Sequence, residues 1–198
     1  MPADQSFSAT LLTTNASGQA TEKGELVIRG ARVRIAPAGN AKDYFLVDTA
    51  VETAYLVRPA LRIFMDAKQS SRLTQLLVPV DPADPCVQWQ RMAKISGAAE
   101  TGTWRCERLG EAMRDGREEI AYRAISPRGR VSSVWIDRQR AFLARLRDED
   151  GTGFELKDVE EGAQGDVLFE VPAGYGKFDP KQLIERIKQS DVWVEPPK

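Results

Sequence analysis

The stretch "DYFLVDTAVETAYLVRPALRIFMDA", Asp43 to Ala67, decides the fold. Three short β-rich runs, "DYFLVDT", "TAYLVRP" and "LRIFMDA", are separated only by "AVE" and by Pro59. Strands joined this closely pair with their neighbours in chain order, so the stretch predicts an antiparallel meander.

The pattern extends toward the N-terminus. "SFSATLLTT" places Phe7, Ala9 and Leu11 on one face by period-two alternation, and "NASG", Asn15 to Gly18, supplies a hairpin turn. "GELVIRGARVRIAP" sets Leu26, Ile28, Val33 and Ile35 against Arg29, Arg32 and Arg34. It reads as two strands or one bent strand, with the bend or bulge at Gly30.

Beyond Ala67 the periodicity changes. "QSSRLTQLL", Gln69 to Leu77, predicts a short helix capped by Ser70 or Ser71. Pro79, Pro82 and Pro85 punctuate the next segment, and Asp84 followed by Pro85 is a cap and first-turn pair, so "PCVQWQRMAKI" predicts a second helix. Leu73, Leu76, Leu77, Val87, Trp89 and Met92 on these helices carry more apolar surface than a solvent loop needs. They must cover something apolar.

Strands resume at "GTWRCERLGEA", turn at "RDG", Arg114 to Gly116, and continue as "REEIAYRAI" with Ile120, Tyr122 and Ala124 inward. "RVSSVWIDRQRAFLARLRDED" reads as a hairpin pivoting near Asp137 to Gln139; a turn at Glu149 to Gly151 leads to "GFELKDVEEG" and "VLFEVP", which finish the sheet. Asp179 and Pro180 open a terminal helix with Leu183, Ile184 and Ile187 on one stripe. The reading is mainly β with α, about ten or eleven strands in one domain spanning 1–198.

Composition excludes several classes of function. With 28 basic and 29 acidic residues the chain has no field to concentrate phosphate backbones, so no nucleic-acid partner is expected. No apolar run reaches the length that crosses a bilayer. There is no histidine, which removes Ser-His-Asp, Cys-His and His-metal chemistry. Cys86 and Cys106 are too few for a metal cage; they form one bridge or remain two buried thiols. No cofactor is implied. The opening "MPADQ" reads as a polar leader left where an export signal has been trimmed, or as a natural cytosolic start.

No constellation of catalytic residues stands out. Asp48, Asp66, Asp137 and "DED" at Asp148 to Asp150 sit at strand ends, where turn formation accounts for them. Arg29, Arg32, Arg34, Arg123 and Arg145 read as a solvated outer face that discourages edge pairing. Trp89, Trp104, Trp135 and Trp193 fill a core or face a ligand in a concave sheet. "AGYGK" is a corner rather than a phosphate loop, because no lysine and hydroxyl pair follows in register.

The order of "SFSATLLTTNASGQATEKGELVIRGARVRI", "DYFLVDTAVETAYLVRPALRIFMDA", "VWIDRQRAFLARL" and "LFEVPAGYGKFD" resembles the LolA/LolB-type lipoprotein-carrier superfamily, more closely its small periplasmic relatives than the carriers themselves. The resemblance implies a curved antiparallel sheet, an incomplete β-barrel of about eleven strands, with helices packed as a lid over its concave face. It makes "LFEVPAGYGKFD" the last barrel strand and its exit corner, and has a Cys86–Cys106 bridge tie the helices to the following strand. Carriers begin with an amphipathic helix that "MPADQ" does not supply. The function so implied is non-enzymatic: a periplasmic protein binding a lipid, acyl chain or other apolar ligand, in outer-membrane lipoprotein or lipid trafficking. Its cavity candidates are Leu26, Ile28, Tyr55, Ile63 and Trp135, and its lid candidates Leu73, Leu76, Leu77, Trp89 and Met92. The alternative is an envelope sensor or assembly module that binds another protein.

Overall fold

The computed structural model describes residues 5–37, 39, 42–67, 72–95 and 102–180. The meander is as expected: β4 (Tyr44–Asp48), β5 (Thr53–Arg58) and β6 (Ile63–Asp66) pair antiparallel in chain order. Asp48 Oδ1 accepts the amides of Ala50 and Val51 to close the first turn. Pro59–Leu61 forms a single 3-10 turn that closes on Arg62, and β6 follows.

Toward the N-terminus, β1 (Ser6–Thr14) and β2 (Ala20–Arg29) meet through a turn in which Asn15 Oδ1 accepts from the amides of Ser17 and Gln19. Gly30 resolves the alternative left by its sequence. It lies with Ala31 in a two-residue turn at φ 56°, and β3 (Arg32–Ala36) returns with Arg29 opposite Arg32. A Cβ at that φ would be strained, which is why glycine stands there.

The second half is a run of hairpins: β7 (Arg105–Arg114), β8 (Arg117–Ile125), β9 (Val131–Asp137), β10 (Phe142–Asp148) and β11 (Gly153–Glu161). Asp115 and Gly116 both take positive φ between β7 and β8, as a two-residue hairpin turn requires. Ile120, Tyr122 and Ala124 are buried on one face, as their alternation predicts.

All join one open sheet of twelve strands, with β1 against β11 bringing the two halves together. The sheet curves without closing, an incomplete barrel, and its concave face carries α1 (Leu73–Leu76) and α2 (Pro85–Ile95). Asp84 Oδ1 accepts the Cys86 amide at the start of α2, where the Asp-Pro pair predicts a cap. The expected Ser70 or Ser71 cap of α1 falls outside the described residues, as do the terminal stripe of Leu183, Ile184 and Ile187 and Trp193.

One expectation is overturned. "VLFEVP" is not a closing strand: Asp166–Phe169 is a 3-10 turn, and the last strand among the described residues is β12 (Gly176–Lys177), which pairs parallel with β6. Both edges of β11 are already taken, by β1 and β10, so this apolar run has no ladder to join. It becomes a strap across the outer face. Asp166 is held by Arg29 at 2.9 Å and Arg32 at 2.5 Å, and Val171 and Tyr175 pack on Tyr44, Leu46 and Val57. Part of the arginine-bearing face is thereby covered rather than solvated.

Cys86 in α2 and Cys106 in β7 form a disulfide with Cα atoms 5.7 Å apart, joining the helical segment to the next strand. It closes a loop of sequence separation 20. Replacing both cysteines by serine lowers the unfolding free energy by about 3 kcal/mol in the loop-entropy account, read as a lower urea midpoint with a steeper slope, because the unbridged denatured chain exposes more surface.

Candidate functional site

The concave face and its helical cover form the candidate site. Leu26, Ile28, Val33 and Ile35 project into it from β2 and β3 and are fully buried. Val134 and Ile136 of β9 and Leu143 of β10 continue the apolar floor, also at 0% exposure.

Onto this floor α2 lays one stripe, Cys86, Trp89, Met92 and Ala93, at the three- and four-residue spacing that keeps side chains on one side of a helix. Val87 faces away and is 65% exposed. Leu76 and Leu77 at the end of α1, then Val78 and Val80, complete the cover; Leu73 is partly buried against the same cluster. All five lid candidates therefore contact one apolar core. Cover and floor residues share one apolar cluster.

The cavity candidates divide between faces. Leu26 and Ile28 lie under the cover. Ile63 has the same strand parity as Met65, which pairs with Leu56 on the cover side, but lies at the end of the ladder and is half-buried. Tyr55 stands opposite Leu46, on the outer face, with its ring 5.3 Å from that of Phe64. Trp135 is also outside, where the Arg145 guanidinium stacks 3.9 Å from its ring. A strand alternates faces, so residues of opposite parity do not line one pocket. Without a register, sequence does not say which parity is inward.

Polar anchors sit around the edge of the cover. Arg72, just before α1, donates to both carboxylate oxygens of Asp148 at 2.5 and 2.9 Å and to Ser132 Oγ at 2.9 Å. The Tyr122 hydroxyl donates to the Pro82 carbonyl at 2.6 Å, and Val80 N–H to the Ala141 carbonyl at 2.8 Å. Within the cover, Trp89 Nε1 donates to the Leu76 carbonyl at 3.2 Å, which locks α2 to α1. Sequence reading missed Arg72, Ser132, Asp148 and Tyr122 as anchors. The available signal was a lone arginine bordering an apolar helix, together with an acid in "DED" beyond what the turn needs.

Asp84, Cys86 and Cys106 converge within 4.8 Å, but both sulfurs are bonded to each other, so this group is not a metal-ligand set. Among the described residues no helix is long and apolar enough to cross a membrane.

No family model matches this chain, and no curated protein does. Among solved structures the chain is similar to PNGF-II, at TM-score 0.56 and 7% identity over 93% of this chain and 33% of that one. It thus spans about a third of that protein's length. An uncharacterised conserved protein from Thermus thermophilus is similar at TM-score 0.50 and 10% identity, over 88% of this chain and 90% of that one. A LolA-superfamily protein from Nitrosomonas europaea is similar at TM-score 0.39 and 12% identity, over 86% of this chain and 91% of that one. At these identities the likeness is one of fold.

Burial alone would raise the Asp148 carboxyl, but hydrogen bonds from Arg72 and Ser132 and the charges of Arg72 and Arg130 outweigh it. The group is held below the ordinary carboxylate range. A depressed folded-state pKa gives stability that is complete above the unfolded value, near 3.9, and is lost as pH falls through the folded one. Asp148→Asn is therefore less stable than the parent at neutral pH, by about 2 kcal/mol for a half-broken, partly buried pair. Urea unfolding across a pH series shows that gap closing in acid; a gap constant into strong acid contradicts the assignment.

Proposed function

We propose that this chain is a non-enzymatic binding module of the periplasm that holds a lipid, an acyl chain or another apolar ligand between its helical cover and the concave face of its sheet. One observation carries the reading. The interface between cover and floor is made of apolar side chains, while the polar contacts that hold the cover lie around its rim. An apolar interface whose polar contacts lie only at its rim is one that an apolar guest can enter when those contacts part.

Opening it is energetically feasible. Burying a large apolar side chain stabilises by about 1.5–3 kcal/mol, so the five lid residues together contribute on the order of 10 kcal/mol. An acyl chain gains about 0.8 kcal/mol per buried CH₂, so a long chain recovers a comparable amount when it takes their place. The disulfide keeps one end of the cover attached while the other swings. A bridge that persists belongs to an oxidising compartment, which supports the periplasmic assignment. The same order of segments that resembles lipoprotein carriers supports trafficking of lipid or lipoprotein as the setting.

A fluorescent fatty-acid probe tests this directly. The parent binds it, Arg72→Ala binds it more tightly because the rim anchor is gone, and native mass spectrometry of the purified protein returns a co-purified lipid. Absence of both lipid and probe binding, in the parent and in Arg72→Ala, defeats the reading.

A second reading, docking of another envelope protein, is favoured by β7. This edge strand is exposed over nearly its whole length, with Leu109 59% and Met113 69% exposed. An open edge with apolar side chains is a template for strand addition. Leu109→Lys with Met113→Lys abolishes recovery of such a partner from envelope extract and leaves probe binding intact; an unchanged recovery rejects this surface.

A further inference from the structure

Away from the cover, the sheet comes apart between β10 and β11. Their ladder holds for three pairs, Arg145 with Glu155, Leu146 with Phe154 and Arg147 with Gly153. At that end the strands are so close that a Cβ on Gly153 has no room against the Leu146 carbonyl. Farther along, bulges displace both strands. Ala144 is the extra residue of β10 against β9, and Asp158 and Val159 of β11 together oppose Ala9 of β1, with Asp158 at φ 48°. Bulges that re-aim strands in this way recur beside binding sites and barrel rims.

The separation leaves a cavity of about 60 Å3. Its inner wall is apolar: Phe7, Phe142, Leu143, Leu156 and Val159. Its rim is charged, and the charges are unequally engaged. Glu155 is held by Arg114 at 2.7 Å and Lys157 at 3.0 Å, Glu119 by Arg145 at 3.1 Å, and Asp137 by Arg140 at 2.6 Å. Asp115 is the remaining acid and is 80% exposed at the tip of the β7–β8 hairpin.

One cation of the lining remains uncommitted. Arg117 lines the cavity and has no acid partner among the described residues. Arg140 also lines it, with a side chain 9% exposed; its two terminal nitrogens are held by Asp137 and Glu161, but its Nε–H is buried with no acceptor.

We propose that this cavity, whose inner wall is the edge of the same apolar core, is a second binding site for a small monocarboxylate with a short apolar tail. The carboxylate accepts from Arg117, and the tail lies against Phe142, Leu156 and Val159. Volume sets the size: about 60 Å3 accommodates roughly four water-sized bodies, which suits a carboxylate and a few carbons and excludes a long acyl chain. The rim carries four acids as well as four cations, so the Arg117 guanidinium, unpaired among the described residues, is what selects the anion, and the apolar wall selects against a purely inorganic one.

Titration of the whole chain with butyrate, followed by NMR of backbone amides, tests the site, with 1-butanol and inorganic phosphate as comparisons. Butyrate gives saturable shifts confined to β10, β11 and the start of β8. Arg117→Gln, at a partly buried position without an ion pair to lose among the described residues, leaves the melting curve unchanged and weakens binding at least about tenfold. Ala144→Leu, which fills the gap, abolishes it. The proposal is overturned if butyrate gives no saturable shift in the millimolar range, if Arg117→Gln binds it as tightly as the parent, or if phosphate or butanol binds equally well.

Discussion

A twelve-stranded sheet that curves without closing has an inner face with no second sheet to meet it, and the packing of the Leu73–Met92 segment onto that face is the contact on which the rest depends. Leu26, Ile28, Val33, Ile35, Val134 and Ile136 would otherwise stand in water. The helices are short, and α1 is a single turn, so they do not persist through local helix stability. They exist because their apolar stripe has a floor. Floor and cover therefore stabilise each other, and the disulfide ties α2 of the cover to β7 of the sheet.

The outer face obeys a different constraint, the supply of hydrogen-bonding edges. Once β1 has paired with β11, the chain leaving β11 finds no vacant edge nearby. It crosses the outer face instead, pinned by Asp166 to Arg29 and Arg32, shields Tyr44, Leu46 and Val57, and reaches the exposed side of β6. The strap and β12 thus protect one end of the sheet. The other end, β7, has no such cover among the described residues.

Charge is organised around these contacts rather than spread evenly. Arg72 and Asp148 join the cover to the sheet, while Arg145, Glu119, Arg140 and Asp137 brace the region where β10 and β11 diverge. In both places the pair is largely withdrawn from water, so that removing one partner leaves a charge that is costly to bury alone. A net charge near zero conceals this arrangement, because composition counts charges without locating them.

Much of the architecture was legible in the residues. Period-two alternation marked the strands, Asn15–Gly18 and Asp115–Gly116 their turns, and Asp84–Pro85 the start of α2; each is a local preference that needs no distant partner. The apolar excess from Leu73 to Met92 announced a cover. Tertiary structure alone decided that Tyr55 and Trp135 lie outside while Leu26 and Ile28 lie inside, since facing depends on register across strands distant in sequence. It also turned "VLFEVP" from a strand into a strap and opened the gap between β10 and β11. Local propensity says what a segment can become. Whether an edge is vacant or a neighbour is bulged is a property of the assembled sheet, and no window of sequence contains it.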